Sequence, residues 1–237
     1  MSMRVLVACE ESQRVTTELR KLGHEAFSCD LFLYSGKHPE WHIKADVLPL
    51  INGNCAFSTM DGTAHRIVGK WDMIIAFPPC TYLTIAGTRH FSPKCNTPEK
   101  IAEREKLREK AAEFFLRFAN ADCERIAIEN PVGYMSKHYK KPTQIIEPYF
   151  FADSTLDTEN YVTKRTCLWL KGLPKLKPIN NLPRPAPYGK YTAKCGKEKG
   201  ICWAMKVSAG SQKERARLRS KTFMGVAKAM AEQWGKE

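Results

Sequence analysis

Apolar residues in this chain gather into short unbroken runs. Val5-Leu6-Val7, Ile74-Ile75-Ala76 and Ile126-Ala127-Ile128 are of this kind, and such runs belong to strands covered on both faces. They predict strands over Arg4–Cys9, Trp71–Phe77 and Arg125–Glu129, with shorter ones over Glu25–Asp30, His42–Asp46 and Cys167–Leu170. Between them the spacing turns helical. Helices are predicted over Ser12–Leu22, which Gly23 ends, and over Thr59–Gly69. The clearest helix follows Thr97, with Thr97 as N-cap and Pro98 in the first turn. Ile101, Leu107, Ala111, Phe114, Phe115 and Phe118 share one of its faces, and the Arg/Glu face of residues 99 to 110 reads as a wet surface. Lys213–Trp234 predicts a closing amphipathic helix, or a pair interrupted near Gly225. Strands alternating with helices imply an α/β fold, a mainly parallel sheet with helices on both faces.

One strand ends abruptly. In IIAFPPCTYL, residues 74 to 83, Pro78 and Pro79 cannot donate to a sheet ladder, so the strand stops there and the next turn is stiff. Cys80 is displayed at the strand's carboxyl end, where open α/β sheets bind ligands. A second strand delivers Glu129-Asn130-Pro131 in IAIENPVGY. Strands separated by one crossover helix usually lie side by side, so Cys80 and Glu129 are expected in one crevice. A thiolate beside a carboxyl group suits pyrimidine chemistry. Addition of sulfur to ring carbon 6 makes carbon 5 enamine-like, and the carboxyl assists at ring N3.

The 237 residues suffice for one core with a small appendage. No apolar run approaches the roughly 20 residues of a membrane-spanning helix, and MSMRVLVACEES reads as a strand rather than a signal peptide, so a cytoplasmic location is expected. Nine scattered cysteines with no C-x-x-C pair argue against disulfides. Cys195 and Cys202 are too widely spaced for a usual zinc pair, and no metal is expected. The formal charge of +13 suits a polyanionic partner. It concentrates between Lys171 and Gly200, where eight Lys or Arg meet a single acid, Glu198. Five prolines keep that stretch out of helix, while Tyr188, Tyr191 and Trp203 offer stacking faces. The chain divides into a core over 1–170, a basic Pro-rich segment over 171–210 and a returning helix over 211–237.

Taken together, these residues resemble the DNA cytosine-5 methyltransferases, most closely a compact phage-associated group. The resemblance spans nearly the whole chain and implies a Rossmann-like, S-adenosylmethionine-dependent methyltransferase fold. In it the Pro-rich stretch replaces a full target-recognition domain. RVLVACEES is similar to the first strand and cofactor loop, which implicates Ala8, Cys9 and Glu10. Asp30 in FSCDL matches the acid expected on the cofactor ribose, and Asp46 in IKADV the contact to adenine. FPPC carries Pro78 and the nucleophile Cys80, and ENP the Glu129-Asn130 pair. TKRTCLWL is similar to the arginine-bearing strand, which puts Arg165 near the target base or its phosphate. FMGVAKAMAEQW is similar to the last helix, beside the cofactor pocket.

The resemblance implies methyl transfer from S-adenosyl-L-methionine to carbon 5 of a cytosine flipped out of duplex DNA, or taken from a single strand. Cys80, Glu129 and Arg165 would carry it, with Thr81, Lys164, Lys190 and Lys194 on the nucleic acid. Two departures stand out: ACEESQRV has no glycine where the family's loop is glycine-rich, and Pro-Cys is followed by Thr81 rather than glutamine. Two alternatives keep the fold, an amino-methyltransferase and an inactive DNA-binding relative. FPPC shares Pro-Pro with the amino enzymes but has Phe77 and Cys80 at the flanking positions.

Overall fold

The computed structural model describes residues 2–193 and 196–236. In chain order, β1 (Arg4–Ala8), α1 (Arg14–Lys21), β2 (Glu25–Asp30) and β3 (His42–Lys44) come first. β4 (Cys55–Ser58), β5 (Ala64–Ile67), β6 (Met73–Ala76), α2 (Pro98–Ala119) and β7 (Ile126–Pro131) follow. Then come α3 (Met135–His138), β8 (Gln144–Ile146), β9 (Thr166–Lys171), β10 (Lys190–Thr192) and β11 (Glu198–Gly200). The chain closes with α4 (Trp203–Lys206), α5 (Gln212–Ser220) and α6 (Met224–Trp234). Seven strands form the central sheet in the order β3-β2-β1-β6-β7-β9-β8. The first five run parallel, and β9 lies antiparallel to both its neighbours. This is the mixed α/β architecture, with a mostly parallel sheet, that the apolar runs predict.

Successive residues of each central strand serve opposite layers. Leu6, Ile74, Ile126 and Ile128 face α2, whose Ala112, Phe115 and Phe118 are buried against them. Val5, Val7, Met73, Ile75 and Ala127 face α1 and α6 and pack with Val15, Leu19, Met230 and Trp234. With both faces covered, the interiors of β1, β6 and β7 are apolar, and polar residues appear at their ends.

Two expectations need correction. Thr59–Gly69 is no helix: β4 and β5 form a hairpin instead. Asp61-Gly62 makes its turn, with Gly62 at φ 89° and the Asp61 carboxylate accepting from Thr59, Thr63 and the Thr63 amide. The period is two rather than 3.6, so Phe57 reaches Phe27 with ring centres 5.1 Å apart. The third strand ends at Lys44, two residues early. The closing segment is the expected helix pair, parted near Gly225 at Lys221–Phe223, and Gly225 itself lies in the first turn of α6. A side chain at Gly225 would strike the Phe151 carbonyl.

The Pro-rich segment begins as part of the core. Leu176 is buried, Gln144 and Gln233 each make paired hydrogen bonds to the backbone around it, and the Trp234 indole donates to the Pro174 carbonyl at 3.0 Å. Among the described residues, no helix is long and apolar enough to cross a membrane.

Candidate active site

β6 and β7 are parallel neighbours, so the two strand ends singled out by the sequence emerge side by side. Past β6 the Phe77 amide still donates to the Ala8 carbonyl at 2.9 Å, and the prolines then take the chain out of the sheet. Asn130, buried at the end of β7, donates its amide to the Pro78 carbonyl at 2.9 Å. Cys80 follows at once, and its carbonyl accepts the Leu83 and Thr84 amides at 2.9 and 3.0 Å. The two loops are then joined: Tyr134 N–H donates to Leu83 O at 2.7 Å and Ile85 N–H to Val132 O at 3.1 Å. Gly133 sits where a side chain would collide with the Leu83 carbonyl. Cys80 is therefore fixed from both sides.

Burial pushes the half-buried Cys80 thiol up, and the neighbouring Glu129 adds to this, while Lys164 and Arg219 pull it down. Burial likewise raises Glu129, against Lys164 and a hydrogen bond from Thr166. The thiol, the carboxyl and the ammonium group are thus close enough to feel one another's charge. Lys164 is held by the Arg219 carbonyl at 3.0 Å, its Nζ 5.6 Å from the Phe223 ring. A cavity of about 20 Å³ opens between Phe77, Glu129, Lys164, Thr166, Thr222 and Phe223. That is room for roughly one water.

Arg165 is not brought into this group. Thr166 and Leu168 share the sheet face of Glu129 and of α6, whereas Cys167 and Trp169 face α2. By that alternation Lys164 falls on the side of Glu129 and Arg165 on the other. Arg165 is exposed, and its charge is felt at Glu147 and Cys167. Lys164, expected only on the nucleic acid, is instead the cation whose charge is felt at Cys80 and Glu129. The period of two back from Leu168 separates them once the pairing of β9 with β7 fixes which face Leu168 takes.

The sheet order reverses between β1 and β6, which makes a crevice at their carboxyl ends. Ala8, Cys9, Asp30, Asp46 and Pro78 gather there. Cys9 adopts φ 59° and donates its amide to Cys29 O at 2.7 Å. Burial raises its thiol well above the ordinary range, and Asp30, Cys29 and Asp46 add to the rise, so both carboxylates lie near it. Each aspartate uses one oxygen in a turn, Asp30 for the Phe32 amide and Asp46 for the Leu48 amide, both at 3.0 Å. Asp30 also draws on the Leu31 amide.

Glu10 has a different task. Gln13, at the start of α1, is buried in a left-handed conformation and binds the backbone of His38, so it cannot cap the helix. Glu10 caps it instead, accepting from Val15 N–H at 2.7 Å, Thr16 N–H at 3.3 Å and the Thr16 hydroxyl at 2.7 Å. Both its oxygens are engaged away from the crevice. The adjacent Glu11 accepts two bonds from Arg217 of α5, at 3.2 and 3.1 Å. Burial alone would raise Glu11, but Arg217, Ser35 and Lys221 outweigh it and leave it lowered.

Of the residues expected on nucleic acid, Thr81 is exposed beside Cys80, and Lys190 is exposed on the β10–β11 hairpin, paired with Glu198 at 2.8 Å. Lys194 and Cys195 lie outside the described residues; Cys202 is exposed. A scan against protein-family models and a search of curated proteins found no match to this chain.

Proposed function

We propose that this chain is an S-adenosylmethionine-dependent DNA methyltransferase acting on carbon 5 of cytosine, built on a Rossmann-like methyltransferase fold. The observation that carries the reading is the delivery of Cys80 and Glu129 by adjacent strand ends, with the Lys164 charge felt by both. S-adenosylmethionine, when bound, supplies the methyl group. Ala8, Cys9, Asp30, Asp46 and Pro78 would hold it. Two aspartates near the buried Cys9 at these strand ends suit a ribose diol and an adenine amine. Glu10 drops out of that set because it caps α1.

The chain's own residues account for activation of the base. Cys80 sulfur, as thiolate, bonds to carbon 6, and the electron pair of the 5,6 double bond moves into the ring. Glu129, held toward its neutral form by burial, gives its proton to N3. Lys164 steadies the thiolate beforehand. When the carbon-5 proton has left to solvent, the carbon–sulfur bond breaks and Glu129 recovers its proton from N3.

DNA carrying 5-fluorocytosine tests this, because fluorine cannot leave as a proton does. With S-adenosylmethionine present, a covalent protein–DNA adduct is expected, and it should be absent in Cys80→Ala. No adduct with the unaltered chain overturns the reading. A second reading, DNA binding without chemistry, is favoured by the small cavity at Glu129. Thermal shift with S-adenosylhomocysteine separates the two, since a chain with no cofactor site shows none.

A further inference from the structure

The Arg/Glu surface of α2 is not uniformly solvated. Arg104 and Arg108, one turn apart, are only partly exposed, and both Nε atoms are buried without a hydrogen-bond partner. Aromatic rings cover them instead. The Arg104 guanidinium carbon lies 5.0 Å from the Tyr82 ring centre and 5.3 Å from that of Phe91. For Arg108 the distances are 4.0 Å to Phe91 and 4.6 Å to Tyr134. Among the described residues the one carboxylate within salt-bridge range of either is Glu105, 3.8 Å from Arg108.

A guanidinium carries five N–H donors in its plane and cannot lose its charge. Stacking uses the faces of the two groups and leaves the in-plane donors unmatched. Two adjacent cations repel each other, and the rings offset this only in part. An arrangement that keeps them together, stiff and short of acceptors, is suited to a bidentate oxyanion.

Its position says which oxyanion. Tyr82 lies two residues after Cys80, and Tyr134 follows the Glu129-Asn130-Pro131 end of β7. The loops carrying these rings are the two joined through Leu83 and Val132. Residues 81–97 and 132–146 contain no acid, yet they carry Arg89, Lys94, Lys137, Lys140 and Lys141. The two loops that carry the rings are therefore basic throughout, with no carboxylate of their own to pair the arginines.

We infer that Arg104 and Arg108 form a clamp for the phosphodiester backbone beside the target base. The inference rests on the nucleic-acid reading of the site. Tyr82, Phe91 and Tyr134 hold the guanidinium planes in place, and the clamp fixes where the backbone runs relative to Cys80. It carries no sequence information itself, as phosphate contacts position rather than specify.

Binding of a labelled oligonucleotide duplex, followed against salt concentration, tests the clamp. Each lost phosphate contact lowers the slope of log affinity against log salt by about 0.9 on duplex DNA. Arg104→Gln/Arg108→Gln should therefore lower it by about 1.8. Arg104→Lys/Arg108→Lys, which keeps the charges, should restore it. An unchanged slope in the glutamine variant, with only a lower melting temperature, overturns the clamp and leaves a loop brace. Equal loss in the lysine variant also overturns it. Adduct formation on 5-fluorocytosine DNA separates the clamp from the parent reading. A slope change without any adduct in the unaltered chain keeps the clamp and overturns methyl transfer. Adducts with identical slopes do the reverse.

Discussion

Cys80 carries a thiol in surroundings that oppose its ionisation, and Lys164 is the largest influence working the other way. Since only the thiolate attacks carbon 6, adduct formation should rise with pH above neutrality, until Glu129 loses the proton it must give to N3. Lys164→Met removes the cation, moves that rise to higher pH and slows the reaction at neutral pH. Arg165→Met should leave the profile in place, because Arg165 projects from the opposite face of β9. Adduct yield against time on 5-fluorocytosine DNA, across pH, measures both. Cys80 and Glu129 are legible in the sequence because prolines mark each strand end. Lys164 is not, because choosing it over Arg165 requires the parity of β9, which only its pairing with β7 fixes. Arg104 and Arg108 escape for a related reason: charged residues on a helix read as wet until the loop that folds over them is known.

At the scale of elements, α1 depends on an acid outside it. Burial pushes Glu10 up from 4.5 to about 7, against the three donors that favour its charged form. The folded state therefore binds the proton more tightly than the unfolded one. The sign follows: the neutral acid is accommodated at pH below about 4.5, and stability falls as pH rises toward 7. The full loss is on the order of 3 kcal/mol. Glu10→Gln cannot ionise, so denaturant titrations should show its stability relative to the unaltered chain rising across that window. A relative stability that falls instead means the helix amides hold Glu10 ionised. The hairpin of β4 and β5 teaches the companion lesson. Its Asp61-Gly62 turn is a plain hairpin signal, but the brief apolar spacing around it also fits one helical turn. Packing against Phe27 and Trp71 decides the matter.

Over the whole molecule, chemistry is confined to one rim. Fully covered strands leave their interiors no choice but to be apolar, so polar side chains with work to do collect where the chain leaves the sheet. That rule makes the layer architecture and the strand ends legible from composition along the chain. What it cannot reveal is which distant segment closes over the rim, because polar contacts leave no periodic trace. α5 is that segment. It buries none of its own side chains, and it rests on Glu11 through Arg217 and on Lys164 through the Arg219 carbonyl. α6, by contrast, is rooted by Val226, Ala227, Met230 and Trp234. A protease that cuts after lysine or arginine should therefore nick this strap before any other helix. The severed tail would stay seated by its tryptophan anchor, so the nicked protein would migrate as one species on a native gel and as two under denaturing conditions.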